Sequence, residues 1–166
     1  MSNYQKHFES IVAKHRLSLF KVAATFEADP IVQQDLLQDM LLAIWQALAF
    51  FRERSTLHTF IYRVAYNKAL SHVAKESRTK SHAALFESVE CRKSDIEAHI
   101  ITLKSAEHVI SKIRLLPIVQ RQLITLSLEG FSYSDMAEIS GLSKTNVGVQ
   151  LNRAKTKLIQ LMEKQQ

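Results

Sequence analysis

A stretch of small polar residues and cations near the C-terminus has the spacing expected of a surface that contacts phosphates and base edges. Ser140-Gly141-Leu142-Ser143 is a short turn-forming stretch between two segments with helical apolar spacing. Ser143 is the expected N-cap of the second segment, which places residues 144–148 at a helix N-terminus. Free N–H groups at such a terminus favour phosphate, and neighbouring side chains can reach the major groove. The spacing therefore predicts a helix-turn-helix that recognises DNA.

The second helix of this pair divides into an apolar arc and a polar face. Val147, Leu151, Ala154 and Leu158 fall within a narrow arc and are expected to pack on the preceding helix. The candidate DNA contacts are Ser143, Lys144, Thr145, Asn146, Val149, Gln150, Arg153 and Lys155. A helical hairpin with a solvated basic end would give the same isolated pattern, so the rest of the chain must decide.

A helix earlier in the chain presents an acidic face that could bind another protein. Its apolar stripe comprises Leu37, Leu41, Ile44 and Leu48. The opposite face carries Asp35, Gln38, Asp39 and Leu42. The carboxylates could pair with basic groups of a partner, although a face of this kind is more often only solvated.

The next helix combines aromatic rings, an amide and cations, which together suit single-stranded nucleic acid. Its candidate contacts are Tyr62, Arg63, Tyr66, Asn67 and Lys68. Aromatic faces can stack on unpaired bases, and cations can hold the backbone. Two interpretations of the tyrosines stay open, because they share a stripe with Ala69 and Val73 and could simply be core. Arg52 and Arg54, just before this helix, could join the cations.

The composition indicates an all-α protein with two small helical cores. The 166 residues are 46% apolar but include only three Gly and two Pro, and β-branched alternation is scarce. The net charge of +6 suits a polyanionic partner. Residues 28–51 contain no Lys or Arg, whereas positive charge collects around residues 63–80 and 144–164. One acidic stretch and two basic stretches are thus separated along the chain.

Helix signals predict a first domain over residues 1–78. A first amphipathic helix stops near Asp29-Pro30, and a third helix is expected from Phe60 to about Arg78. Residues 79–94 have weak periodicity and many small or polar side chains. We expect this segment to be a flexible linker.

Capping signals predict a second domain over residues 95–166. Ser94-Asp95-Ile96-Glu97 is a capping box at a helix start. Pro117 suits the first position of another helix, which Gly130 ends. Residues 132–135 repeat the cap pattern and open the first helix of the helix-turn-helix.

The remaining sequence features argue against several other classes of protein. A single cysteine, Cys91, excludes an internal disulfide and a zinc site built from cysteines. The seven His residues include no pair at i+3 or i+4 and no His-Glu-x-x-His, so no metal site or other cofactor is expected. No long apolar run or signal-peptide core occurs. We therefore expect a cytoplasmic protein without membrane insertion.

Taken together, the motifs resemble the sigma factors of bacterial RNA polymerase, in particular the small extracytoplasmic-function (ECF) group of the sigma-70 family, which retains only regions 2 and 4. Asp35-Leu36-Leu37-Gln38-Asp39 and the segment from Phe60 to Asn67 match the family's region 2. The matches to region 4 are Leu116-Pro117, Arg121, Leu126, Glu129-Gly130-Phe131-Ser132-Tyr133, Ala137, Gly141-Leu142-Ser143, Val147, Leu151 and Arg153-Ala154. The resemblance covers nearly the whole chain.

The resemblance implies a role for each surface. Asp35, Gln38, Asp39 and Leu42 would dock on the clamp helices of the polymerase largest subunit, and the flap of the second-largest subunit would be a further contact. The face with Arg63 and Asn67 would capture melted bases of the −10 element, and the helix-turn-helix would bind the −35 element. An anti-sigma factor is an expected partner. No enzymatic activity of its own is implied.

The recognition helix departs from the family pattern. The family usually has Gly-Thr-Val-Lys-Ser-Arg-Leu where this chain has residues 145–151, Thr-Asn-Val-Gly-Val-Gln-Leu, so two cations and a hydroxyl are missing. Either the −35 sequence differs or Lys144, Asn146, Gln150 and Lys155 replace the missing contacts. The third helix also departs, with Phe60 for the common Trp and Tyr66 for the common Arg.

Two other classes of protein remain as alternatives. A helix-turn-helix regulator that acts without polymerase would use its N-terminal domain for dimerisation or ligand sensing, and would bind palindromic half-sites. A helical metalloenzyme would need inward carboxylates with Glu-x-x-His spacing, which the sequence lacks.

Overall fold

A computed structural model describes the backbone of residues 3–83 and 100–163, and the side chains of 5–79 and 106–163. Within these ranges the chain is helical and has no strand. The helices are α1 (Asn3–Phe26), α2 (Pro30–Leu48), α3 (Leu57–Ala83), α4 (Ile100–Ile113), α5 (Ile118–Leu128), α6 (Tyr133–Ser140) and α7 (Lys144–Glu163). The all-α prediction is confirmed.

The N-terminal unit consists of α1, α2 and α3 packed around one apolar core. Asp29 starts α2 as its N-cap, accepting hydrogen bonds from the N–H groups of Ile31 and Val32, and Pro30 follows in the first turn. The predicted apolar stripes face inward because each helix alternates apolar and polar sides. Side chains that have no solvent exposure include Leu19, Val22, Met40, Ile44, Ile61 and Ala65.

The third helix is longer than the sequence predicts at both ends. It begins at Leu57 because the Thr56 side chain caps it, accepting a hydrogen bond of 3.1 Å from the Thr59 N–H. It continues through Ala83, so residues 79–83, which we assigned to the linker, are helical. No Gly or Pro lies there to stop the helix, and Ala is its best former.

The C-terminal unit contains α4 to α7, and turn chemistry fixes its boundaries. The capping box predicted at residues 94–97 lies outside the described residues. Pro117 precedes the first helical residue instead of occupying it, since its ψ of 147° is extended. Gly130, with φ of 84°, follows α5 as predicted. Ser132 and Asp135 form the predicted capping box of α6.

The helix-turn-helix of α6 and α7 forms as predicted. Gly141 ends α6 in the left-handed conformation, with φ of 73°, which suits a residue without Cβ. Ser143 caps α7, because its Oγ accepts a hydrogen bond of 3.2 Å from the Asn146 N–H. The buried face of this unit is made by Ile113, Leu116, Leu123, Leu126, Met136, Ile139, Val147, Leu151 and Ala154.

The two units pack against each other in this structure. α6 lies on α3, while α4 and α5 contact α1. Arg114 donates from Nε to the carbonyl oxygen of Ala24 over 2.7 Å, and the Arg121 guanidinium lies 5.6 Å from the centre of the Phe26 ring. The C-terminal turn of α1 is thereby held by two arginines of the second unit.

Candidate nucleic-acid and polymerase interfaces

The beginning of α7 is open to solvent and carries the predicted −35 contacts. The exposed members of that set are Ser143, Lys144, Thr145, Asn146, Val149, Arg153 and Lys155. Gln150 is half-buried, because its Oε1 accepts a hydrogen bond of 3.3 Å from Gln120 Nε2. The helix therefore presents amides, hydroxyls and cations on one accessible side, with its first N–H groups at the same end.

Gly148 leaves a gap on this exposed side where the family pattern has a cation. A Cβ added at Gly148 would lie 3.5 Å from Cε2 of the Tyr133 ring, which is ordinary van der Waals contact. The backbone there is helical, so neither space nor conformation requires glycine. The packing of α7 therefore does not require glycine at position 148, and the missing side chain changes only what the surface offers to a partner.

The predicted polymerase-binding face of α2 is also exposed. Asp35, Gln38 and Asp39 point away from the core, and Leu42 keeps 55% of its surface exposed. Asp39 Oδ2 lies 3.3 Å from Lys68 Nζ on α3. Both side chains are partly exposed, so this pair contributes at most about 1 kcal/mol and can exchange for other partners.

A cleft of about 320 Å³ at the junction of α2 and α3 combines aromatic rings with arginines. It is lined by Phe50, Phe51, Arg52, Arg54, Ser55, Phe60 and Arg63. The Arg63 guanidinium lies 5.6 Å from the centre of the Phe60 ring. Glu53, in the loop that forms one wall, has a left-handed φ of 53°, an uncommon conformation outside glycine. The loop thus brings Arg52 and Arg54 next to the predicted Arg63.

The prediction that Tyr62 and Tyr66 stack on unpaired bases does not fit this structure. Tyr62 is 1% exposed and Tyr66 is fully buried, as expected of the apolar stripe they share with Ala69. Burial raises the pKa of Tyr62 to about 12 and that of Tyr66 well above its ordinary value. The core interpretation is therefore the correct one here. Asn67 is exposed and Lys68 is partly exposed on the same helix.

The second unit covers one end of the predicted −10 face. The Phe131 ring is stacked 4.4 Å from His58 and lies edge-on 4.8 Å from Tyr62. Glu129 accepts a hydrogen bond of 3.4 Å from the Tyr62 hydroxyl and lies 3.6 Å from Lys21 Nζ. Aromatic and polar contacts together fix this junction.

Two further pairs join α3 to α6. Thr59 Oγ1 donates to Asp135 Oδ1 over 3.1 Å, and Arg63 lies 3.3 Å from Glu138 Oε1. In the second pair, Glu138 binds the Arg63 guanidinium, which we predicted to contact DNA. Because Arg63 and Glu138 are both about two-fifths exposed, at 41% and 38%, the pair is weak and separable.

Phe60 belongs to the predicted −10 segment, but the sequence predicted neither Phe50 and Phe51 as walls of the cleft nor the contacts between the units. Phe50 is 77% exposed, and an exposed ring beside Arg52 and Arg54 was a usable signal for stacking chemistry. No such signal in the sequence predicts that Phe131 contacts His58, because this contact depends on how two separate cores pack together.

Comparison with known proteins identifies both units. Residues 11–79 match the family model for Sigma-70 region 2, and residues 107–158 match the model for Sigma-70, region 4. The RNA polymerase sigma-H factor of Pseudomonas aeruginosa is 30% identical over 146 residues, which cover 81% of this chain and 75% of that protein. The RNA polymerase sigma factor NccH of Alcaligenes xylosoxydans is 24% identical, over 98% of this chain and 90% of that protein.

Two solved structures share the fold. CnrH, in complex with the cytosolic domain of CnrY, superposes with a TM-score of 0.70 at 23% identity, covering 98% of this chain and 91% of that chain. The sigma factor RpoE of Bartonella quintana, in complex with the anti-sigma factor NepR, gives 0.69 at 22% identity, covering 93% and 98%. The helical architecture is therefore that of known sigma factors. With regions 2 and 4 both matched and a relative of this similarity, the chain belongs to the sigma-70 family, as an RNA polymerase sigma factor of the ECF group.

Proposed function

We propose that this sigma factor divides its work among three surfaces, with α7 on the −35 element, the α2–α3 cleft on the melted −10 element and the outer face of α2 on core polymerase. The observation that carries the proposal is the cleft with its adjacent helix. Three phenylalanines and the guanidinium groups of Arg52, Arg54 and Arg63 line the cleft, and Asn67 is exposed one helical turn after Arg63. Of these cleft arginines, Arg63 pairs with Glu138 of the second unit.

The cleft suits an unpaired base better than duplex DNA. Its aromatic walls can stack on a base, while the guanidinium groups of Arg52, Arg54 and Arg63 can bind phosphate. The Asn67 amide can donate and accept hydrogen bonds at the same time, which suits the edge of a flipped base. Binding of melted DNA in preference to duplex shifts the population toward the open promoter without any catalytic step.

The start of α7 suits the major groove. Ser143, Lys144, Thr145 and Asn146 lie in its first turn and at its cap, where backbone N–H groups and the helix dipole favour phosphate. Arg153 and Lys155 follow on the exposed side. Since the chain has few cations on this helix compared with the family pattern, we expect a shallow dependence of −35 affinity on salt.

The α2 face suits basic groups on the clamp helices of the polymerase largest subunit. Asp35 and Asp39 are separated by one helical turn, so they offer two carboxylates on one line. Leu42 extends that line with exposed apolar surface. The C-terminal unit would reach the flap of the second-largest subunit.

The family context extends the proposal to regulation and place of action. We expect an anti-sigma factor as a partner, by analogy with the NepR complex. Sigma factors are transcription initiation factors, so we expect no enzymatic activity, and we expect the protein to act in the bacterial cytoplasm. Of the described helices, none has the length and apolarity to cross a membrane. The matches to regions 2 and 4 do not favour a regulator that acts without polymerase.

Run-off transcription with purified core polymerase and a promoter library tests the proposal. We expect transcripts from a subset of promoters only when the protein is added. Tight duplex binding by the protein alone, without transcripts in the presence of polymerase, would instead support the regulator.

The double substitution Asp35→Lys and Asp39→Lys tests the polymerase-binding face. It replaces both carboxylates with cations, so we expect polymerase affinity to fall by at least about 100-fold, consistent with the cost of reversing close charge pairs. The helical circular dichroism should stay unchanged because both side chains are exposed. The control substitution Glu107→Lys, on α4, changes charge away from this face. Full co-elution of the double variant with polymerase would refute the docking assignment.

A further inference from the structure

A cluster of two carboxylates and one imidazole lies where the end of α1 meets the second half of α3, away from the three surfaces above. The ligand atoms of Glu27, His72 and Glu76 all lie within 4.8 Å of one another. We propose that this cluster binds a divalent transition-metal ion, with Zn²⁺ as the best-matched candidate, and that the ion ties α1 to α3. This departs from the expectation, drawn from His spacing, that the chain has no metal site.

Hydrogen bonds already hold the Glu27 carboxylate in one orientation, as they hold the ligands of protein metal sites. Its side chain is only 9% exposed. One oxygen, Oε1, accepts hydrogen bonds of 2.6 and 2.9 Å from the N–H groups of Ala28 and Asp29. The other oxygen, Oε2, faces His72. Ligands of protein metal sites are commonly oriented by such outer hydrogen bonds, which leave one atom for the ion.

His72 lies next to the free side of the Glu27 carboxylate. Its Nε2 lies 2.9 Å from Glu27 Oε2. Two ligand atoms bonded to one zinc ion at about 2.0–2.2 Å lie roughly 3.4 Å apart in tetrahedral geometry, so His72 and Glu27 must separate by about half an ångström for an ion to replace the shared proton. For Nε2 to bind the ion, the ring proton of neutral His72 moves to Nδ1 by exchange with solvent. Glu76 is one helical turn from His72, so both side chains lie on one side of α3.

An ion can reach the cluster from solvent. A cleft of about 270 Å³ opens beside the cluster and is lined by Val32, His72, Lys75, Glu76 and Thr79. Water can complete the coordination from this side. The two carboxylates balance the charge of a divalent ion. Lys75, at the rim of the cleft, carries a positive charge that disfavours binding of the ion. An imidazole with carboxylates favours Zn²⁺ and its neighbours over Mg²⁺ or Ca²⁺, which take oxygen ligands.

The expected consequence is stabilisation of the N-terminal unit at its α1–α2 turn. Glu27 follows α1 directly, and its carbonyl oxygen accepts a hydrogen bond of 3.0 Å from Gln33 Nε2 of α2. An ion bound to Glu27, His72 and Glu76 would therefore link this turn to α3. Because the ion binds the folded chain, it should raise the unfolding temperature in a concentration-dependent way.

Titration of the full-length chain, stripped with a chelator, tests the site. Zn²⁺ is added during calorimetry and thermal unfolding, and Co²⁺ serves as a spectroscopic probe of the ligands. The variants are His72→Ala and Glu76→Gln, the second retaining the side-chain shape in case loss of His72 destabilises the fold. The control variants are His7→Ala, on exposed α1 surface, and His15→Ala, because His15 and His58 form a second imidazole pair with ring centres 5.2 Å apart.

We expect one saturable site at micromolar Zn²⁺ and a rise in the unfolding temperature. In His72→Ala and Glu76→Gln, Zn²⁺ should no longer raise the unfolding temperature, and its affinity should fall by at least about tenfold. In His7→Ala and His15→Ala, the rise in unfolding temperature and the Zn²⁺ affinity should both be retained. The proposal is overturned if Zn²⁺ neither binds at micromolar concentration nor stabilises the chain. It is equally overturned if Glu76→Gln binds as the unchanged chain does, or if His15→Ala abolishes binding.

Discussion

The two proposed DNA-binding surfaces of this sigma factor differ in how available they are. The start of α7 is exposed from Ser143 to Asn146. On α3, by contrast, Arg63 pairs with Glu138, and Phe131 covers the ring of Tyr62. The proposed −35 surface is therefore open to solvent, whereas the proposed −10 surface is partly covered by the other unit.

This difference suggests an order of events for promoter recognition. The partly exposed guanidinium of Arg63, which pairs with the Glu138 carboxylate here, could pair with a phosphate in the same way. A weak ion pair of this kind can be replaced by DNA or by polymerase at little cost. We infer that the two units separate before the cleft between α2 and α3 receives melted DNA.

The largest expected effect comes from Phe131→Ala, which removes the ring between His58 and Tyr62. Phe131 is 8% exposed, and truncation of a buried Phe costs about 3–5 kcal/mol. Because that ring joins the two units, we expect a lower unfolding temperature together with a larger radius of gyration in small-angle X-ray scattering. The control Phe50→Ala removes a ring that is 77% exposed and should change stability by less than about 0.5 kcal/mol. An unchanged radius for Phe131→Ala would show that the ring does not hold the units together.

A smaller effect is expected from Gly148→Lys, which adds a cation to the open surface. The new Cβ fits against Tyr133 at 3.5 Å, and replacing a helical glycine adds up to about 1 kcal/mol of helix stability. One extra phosphate contact should raise the salt slope of duplex binding by about one and increase affinity at low salt. Fluorescence anisotropy on a promoter duplex at several salt concentrations measures both. Gln160→Lys adds the same charge at the far end of α7 and should not reproduce the steeper slope.

The smallest expected effect is that of acid on the contact between the units. Burial lowers the pKa of both His15 and His58 below the ordinary value of 6.5, with Lys14 acting in the same direction and Glu129 opposing it. The separated or unfolded chain therefore takes up protons first as pH falls below about 6.5, and the contact weakens until the lowered pKa is reached.

Scattering measured from pH 7.5 down to 5.5 should show this loosening as a gradual increase in radius. The carboxyl of Asp135 stays ionised across this range because the Ser132 hydroxyl holds its pKa below 3.8, so it contributes no change there. The double variant His15→Gln and His58→Gln removes both titrating rings and should give a flat profile. A response of equal size in that variant would assign the effect to other groups.

The sequence predicted the parts of the fold that depend on local chemistry. The N-cap of α7 and the turn at Gly141 follow from residue types that favour one backbone conformation, so they could be predicted closely. The capping box of α6 was predictable for the same reason. The C-terminal end of α3 could not be predicted in this way. Residues 79–83 contain no strong stop signal, so small differences in helix propensity decide where the helix ends.

The parts of the candidate sites that depend on distant contacts were less predictable. Exposure of Asp35 and Asp39 follows from one helical stripe, but the choice between stacking and burial for Tyr66 depends on how three helices meet. The cluster of Glu27, His72 and Glu76 combines an i, i+4 pair with a residue 45 positions before His72, so spacing along one helix could reveal only part of it.

The distance between the two units, measured in the free protein and in the transcribing complex, tests the central claim most directly. Donor and acceptor dyes on Ala74→Cys and Ser134→Cys would report it by energy transfer, with Cys91→Ser removing the native thiol; both labelled positions are exposed, on α3 and α6. We predict high transfer in the free chain and a clear loss of transfer in an open promoter complex that makes transcripts. High transfer that persists in an actively transcribing complex would contradict the account.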